Sequence, residues 1–360
     1  YIQKAVELRP DFYEASLTLA KLLQAQGELA QASVAYQHCF ALKPTAGMKI
    51  QIALMVPPIM GTLEQVKATR TRFEKNLDQL LLEQLTMGDP IKGYCNTNFH
   101  LAYHGVNDRE VQEKVARLYA QACPELKFMA AHCSRSRPEG QKKRIGFLSK
   151  FISRHSVALS FSRIVETLSA KGDFDVALIS TVDRDNSTFN EAYPNFAGKY
   201  VRLTGELAIA RQEIAALELD VLVYLDIGME AFSYFLAFAR LARIQCVLGG
   251  HPVTTGVPAL DYYLSSELIE TENAQEHYSE KLVRFPYGVL YFERPATPVT
   301  GKTRVELGLP GSGSIYACPM TLHNLHPDFD VSIERILQLD RTGHVVLFSD
   351  KKFSAWQRQL

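Results

Sequence analysis

The chain has 360 residues, of which 47% are hydrophobic, and its 39 basic side chains are balanced by 39 acidic ones. That length supports two or three domains with a sizeable core, and the neutral balance gives no electrostatic reason to expect nucleic acid or a membrane surface as a partner. The six cysteines (Cys39, Cys95, Cys123, Cys133, Cys246 and Cys318) have neither CxxC nor paired spacing, which argues against a metal site or disulfide framework and suits a reducing, cytoplasmic setting.

The first stretch carries a repeat. Pro10 and Pro44 stand 34 residues apart, the tetratricopeptide period. Between them Leu19, Ala20, Leu23, Gly27, Ala32, Tyr36 and Cys39 fall where a helix–turn–helix unit needs small or bulky side chains. Ala20 and Ala32 let two helices approach, and Gly27 suits the turn because a positive φ costs glycine little. Tyr1 to Pro10 reads as the tail of a preceding repeat. The first residue is Tyr1 rather than Met, and one repeat cannot bury its own faces, so further repeats are expected upstream. Residues 1–46 are therefore read as a repeat end, and 47–138 as a helical connecting region. Apolar and charged residues recur there at helical spacing over 63–85 and 111–122. The polar, basic run 134–144 reads as a solvated linker in preference to a phosphate site built from Arg135, Arg137, Lys142 and Lys143.

After the linker the hydrophobic period changes. Strands are predicted over 144–149, 174–181, 220–225 and 244–249, with helices over 157–170, 207–217 and 231–241. This alternation implies parallel βαβ units and a doubly wound sheet over 139–300. The apolar stretch 221–250 is broken by Asp226, Glu230 and Arg240, too often for a transmembrane helix. A second βαβ start occupies 301–360: strand 314–318, helix 327–339 and strand 344–349. Pro327, Asp328 and Asp330 mark the start of its helix. The chain stops at Leu360, so this second domain is expected to be cut short.

Ligands on such sheets sit at the carboxyl ends of the strands, so each strand end is a candidate site. His155 lies just before a helix, after the first strand, where it can act as a base or hydrogen-bond donor or merely cap the helix. Asp226 follows the third of these strands; it can accept from a sugar hydroxyl, serve as a base, or cap the helix near Glu230. The run Gly250-His251-Pro252-Val253-Thr254-Thr255-Gly256 brings glycine amides and threonine hydroxyls to the next strand end. It lacks the lysine of a GxxxxGK[ST] loop and the GxGxxG fingerprint, and the competing reading is a tight turn.

Several segments together resemble protein O-GlcNAc transferases. They are Arg144 to Ser149 followed by His155, then Gly250 to Gly256, then Asp261-Tyr262-Tyr263, then His277-Tyr278-Ser279-Glu280-Lys281-Leu282. The segment Phe99 to Arg109 is similar to the bacterial branch, and with the repeat the likeness is to the SPINDLY-like, tetratricopeptide-bearing glycosyltransferases of family 41. It implies an α + α/β chain: helical repeats, then a GT-B region whose two Rossmann-like domains face across a cleft, the first complete and the second truncated. It implies inverting transfer of GlcNAc from UDP-GlcNAc to Ser or Thr of protein acceptors bound through the repeats. No cofactor and no metal are expected, since protein donors would stabilise the leaving diphosphate.

The resemblance places His155 at the reacting centre, with Asp226 as a second catalytic candidate. Gly250, His251, Pro252, Thr254, Thr255 and Gly256 would lie near the sugar, and Thr321, His323 and Asn324 at the donor. Leu159 stands where the family has a second histidine, and Asn324 where it carries a lysine on the diphosphate. Asn324 has no positive charge to give. A UDP-glucose-dependent protein N-glucosyltransferase and a degenerate repeat-based peptide-binding protein are the competing readings.

Overall fold

The computed structural model describes residues 1–137, 139–153, 155–181, 186–292, 301–349 and 351–359. In chain order the helices α1 (Ile2–Leu8), α2 (Tyr13–Ala25), α3 (Leu29–Leu42), α4 (Ala46–Ala53), α5 (Leu63–Leu82) and α6 (Arg109–Ala122) come first. There follow β1 (Lys143–Leu148), α7 (Ser156–Ala170), β2 (Phe174–Ser180), α8 (Asn186–Ala192), β3 (Lys199–Arg202), α9 (Leu207–Ala215), β4 (Leu219–Tyr224) and α10 (Ala231–Leu236). The last elements are β5 (Ala242–Leu248), β6 (Tyr262–Ser266), β7 (Lys281–Phe285), β8 (Ile315–Cys318), α11 (Phe329–Leu339) and β9 (His344–Leu347).

These elements divide into two compact units. The first comprises Tyr1–Asn76, His100–Val106 and Arg294–Leu360, the second Leu77–Phe99 and Asn107–Glu293. The stretch read from sequence as one connecting region, 47–138, is thus shared between them. Nor is it continuously helical: between α5 and α6 lie turns and a 3-10 segment, Phe99–His104. As expected, no strand precedes Lys143 among the described residues, only an isolated bridge between Met129 and Arg240.

In the first unit α2 and α3 pack as a hairpin. Ala20 and Ala32 are wholly buried between the helices and Gly27 turns the chain with φ +82°, as the small residues at those places predict. Tyr36 and Gln51 both donate to the Gln24 side-chain oxygen, at 2.8 and 2.9 Å, so α2, α3 and α4 share one polar anchor inside an apolar contact. Further along the chain, β8 and β9 pair in parallel around α11, the βαβ start predicted for 301–360. The Trp356 indole N–H donates to the Ala25 carbonyl at 2.8 Å and the Gln359 amide to the Gln26 carbonyl at 3.0 Å. Both satisfy carbonyls that the end of α2 leaves without helical partners.

The second unit is built on a seven-stranded, all-parallel sheet in the order β3-β2-β1-β4-β5-β6-β7. Its inner strands are nearly continuous apolar runs because parallel strands are covered on both faces. Ile145, Phe147, Val176, Leu178, Val223 and Leu248 meet Val157, Phe161 and Val165 of α7 in one cluster. Below the sheet the basic run is not merely solvated. Arg137 pairs with Asp220 at 2.9 Å, and the same carboxylate accepts the Arg144 backbone N–H at 2.9 Å. These contacts stand at the amino ends of β1 and β4, the edge away from any site on the carboxyl ends, so Arg137 serves the fold. Among the described residues no helix is long and apolar enough to cross a membrane.

Candidate active site

Strand order reverses between β1 and β4: the chain winds outward to β3 from one and to β7 from the other. Such a switch point opens a crevice between the loops leaving the two carboxyl ends. His155 lies on the loop after β1 and Asp226 on the loop after β4, so both catalytic candidates belong to the two loops that flank the switch point.

His155 is the N-cap of α7. Its Nδ1 accepts the Val157 backbone N–H at 3.2 Å, and its ring stacks on Phe151 with centroids 4.1 Å apart and planes 19° from parallel. Burial lowers its pKa, which agrees with an accepting nitrogen: an imidazolium has no lone pair for a cap. The cap reading and the functional one are therefore compatible. With Nδ1 accepting, the neutral ring carries its proton on Nε2 and presents a donor rather than a base.

Asp226 does not cap α10. Glu230 does, accepting from the Phe232 N–H at 2.8 Å and from the Ser233 N–H. Asp226 is instead fully buried, too enclosed to accept directly from a sugar hydroxyl. Its Oδ2 accepts the Ser149 hydroxyl at 3.1 Å and the Lys150 backbone N–H at 2.8 Å, and Ser149 Oγ accepts the Phe151 N–H at 2.9 Å. Burial, and then the charge of Glu230, push its carboxyl up to about 7, against the pull of the Lys150 and Ser149 bonds. The folded state thus holds this proton more tightly than the unfolded chain. The resulting stability is complete below the ordinary carboxyl range and is lost as pH rises through about 7. Asp226→Asn is expected to flatten the urea-unfolding free energy across that window; an unchanged slope would refute it.

The glycine-rich run closes the edge. A Cβ on Gly250 would lie 1.8 Å from the Leu225 carbonyl oxygen, and one on Gly256, whose φ is +70°, would lie 2.2 Å from that of Gln112. Only glycine fits at either place, because the loop presses on backbone. The side chains between them turn inward. His251 stacks on Phe99 at 5.0 Å, and burial pushes its pKa down to about 4. Thr254 donates to Glu280 at 2.6 Å, the Thr255 N–H donates to it at 2.9 Å, and so does the Thr255 hydroxyl. Ser279 Oγ accepts the Gly256 N–H at 3.2 Å. The threonine hydroxyls expected to face a sugar are committed to Glu280, and Pro252 is exposed. Sequence reasoning quoted Glu280 as part of a motif but missed its role.

Thr321, His323 and Asn324 belong to the first unit, on the turn after β8. Thr321 Oγ1 lies 3.4 Å from His323 Nε2, and the His323 ring meets Tyr103 and Trp356 edge-on at 4.8 and 5.6 Å. Burial among these rings lowers the His323 pKa, so it does not replace the missing lysine charge near neutral pH. The Asn324 N–H donates to the Thr321 carbonyl at 2.9 Å. Among the described residues no cluster of three or more His, Cys, Asp or Glu is arranged to hold a metal.

No family model matches the chain. Over 77 residues it is 38% identical to a probable UDP-N-acetylglucosamine–peptide N-acetylglucosaminyltransferase SPINDLY of Hordeum vulgare, a match spanning 21% of this chain and 8% of the barley protein. Among solved structures, a lysine-to-methionine mutant of the Thermobaculum terrenum O-GlcNAc transferase superposes with a TM-score of 0.65 over 99% of this chain and 67% of its own, at 18% identity. The α2–α3 hairpin, the seven-stranded parallel sheet and the second βαβ start thus share the GT-B-type fold of that solved structure.

Proposed function

We propose that this chain is the catalytic region of a protein O-GlcNAc transferase carrying tetratricopeptide repeats. The acceptor Ser or Thr oxygen bonds to the anomeric carbon of UDP-GlcNAc from the face opposite the diphosphate. The bond from that carbon to the diphosphate oxygen breaks, UDP departs with the electron pair, the hydroxyl proton passes to water, and the configuration inverts. The observation that carries the reading is His155: a neutral imidazole with its tautomer set by a helix cap, beside the switch-point crevice of a sheet with this fold. Its Nε2–H would donate to a donor-substrate oxygen, a preorganised dipole of the kind that stabilises developing charge. The repeat hairpins would bind acceptor proteins in the cytoplasm, and no metal or cofactor is required.

The test is incubation of the protein with labelled UDP-GlcNAc or UDP-glucose and an acceptor lysate, followed by identification of the modified side chain. GlcNAc on Ser or Thr supports the proposal. Glucose on Asn would establish the N-glucosyltransferase, and no transfer from either would leave a peptide-binding protein. Asn324 and the lowered His323 pKa favour a slow enzyme. Asn324→Lys is expected to raise the transfer rate roughly tenfold or more by placing a full charge on the diphosphate. A rate that does not change would move diphosphate binding to other residues.

A further inference from the structure

The Asp226 carboxylate lies too deep for substrate, yet it reaches His155 through two steps. It fixes Ser149 and Lys150 at the end of β1; Ser149 fixes the Phe151 amide; and the Phe151 ring is the surface on which the His155 imidazole stacks. Its second oxygen, Oδ1, is buried and has no hydrogen-bond partner. A buried oxygen of that kind costs stability; packing alone would favour an apolar residue at this place. The titratable groups that face it are Glu230 at the start of α10 and Tyr193 just after α8. Neither supplies positive charge.

We propose that Asp226 is a positioning residue that holds the ring orientation of His155 through the Ser149–Phe151 turn, and so keeps Nδ1 on the Val157 N–H that fixes the tautomer, and that its ionisation tightens this brace. The proposal rests on the transferase reading only for its effect on turnover. Oδ2 accepts two donors, so the proton of the neutral acid sits on Oδ1 and the brace persists in both forms. Bonds to an ionised carboxylate are the stronger ones, so the turn is held harder once Asp226 has lost its proton, at pH above about 7. Asparagine keeps an accepting oxygen for Ser149 and Lys150 and places its amide where Oδ1 lies, without a titration.

The experiment is nitrogen NMR of the full chain labelled at histidine, with the His155 signals assigned by their loss in His155→Asn. In the wild type, Nδ1 is expected in the unprotonated range and Nε2 in the protonated range, with a step in both as pH crosses about 7. That step is separate from protonation of His155 itself, which burial moves below its ordinary value. Asp226→Asn should keep the tautomer and lose the step. Asp226→Ala should average the two nitrogens and lower kcat at least tenfold with little change in KM. Wild-type nitrogen signals and an intact step in Asp226→Asn would overturn the proposal, and so would wild-type signals in a folded Asp226→Ala. If the expected pattern appears but no sugar is transferred, the brace stands and the transferase reading falls.

Discussion

Glu280→Ala is expected to destabilise the sheet-bearing unit by about 4 kcal/mol, because it removes the carboxylate that accepts from three buried donors at once. Glu280 is 2% exposed, and its carboxylate gathers the Thr254 hydroxyl with the amide and hydroxyl of Thr255. Thr254 Oγ1 in turn accepts the Ser279 N–H at 2.9 Å, and Thr255 Oγ1 accepts the Val257 N–H at 3.1 Å. Losing the carboxylate therefore frees the whole run from Thr254 to Val257, which Gly250 and Gly256 press against neighbouring backbone. A domain's total stability is about 5–15 kcal/mol, so a loss of this size leaves little reserve. Glu280→Gln keeps one oxygen at the same reach and is expected to lose less than half as much. Urea midpoints of the two variants decide the matter. Equal, small losses would mean that the threonines find other partners and that the carboxylate is not the anchor.

The inner strands were legible because a parallel sheet buried on both faces writes unbroken apolar runs into the sequence, as Ile145 to Leu148 and Val176 to Ile179 do. Three strands were not. β3 has four residues and a half-exposed edge, while β6 and β7 mix polar and apolar side chains without a regular alternation and were read as motif letters rather than as strands. The hairpin of α2 and α3 was legible from two alanines and one glycine, because close helix approach leaves few residue choices. The helical reading of 83–108 failed where apolar residues such as Met87, Ile91 and Leu101 pack turns and a 3-10 segment instead.

At the site, His155, Asp226 and the glycine run were findable because strand ends are where ligands collect. Their roles were not. Whether Thr254 faces a sugar or Glu280 depends on a partner 26 residues away, and nothing local in the sequence records that choice. Asp226 shows the same limit. Aspartate before a helix is a fair cap by propensity, but Glu230 holds that position, and the carboxylate of Asp226 turns back toward β1.

The second large effect concerns His155, and it tests the central claim that the β1–β4 switch point is where sugar transfer occurs. His155→Ala removes both the cap and the Nε2–H. Loss of the cap costs about 1 kcal/mol of stability; loss of an oriented polar group at the reacting centre costs about a hundredfold or more in turnover. His155→Asn separates the two, since asparagine caps helices as well as any residue but does not extend a donor to the position of Nε2. The measurement is the rate of GlcNAc transfer from UDP-GlcNAc by His155→Asn, taken beside its thermal unfolding curve. The account predicts a wild-type unfolding curve with transfer reduced about a hundredfold or more. Transfer at the wild-type rate in a folded His155→Asn would contradict it, leaving His155 a helix cap and placing the chemistry elsewhere.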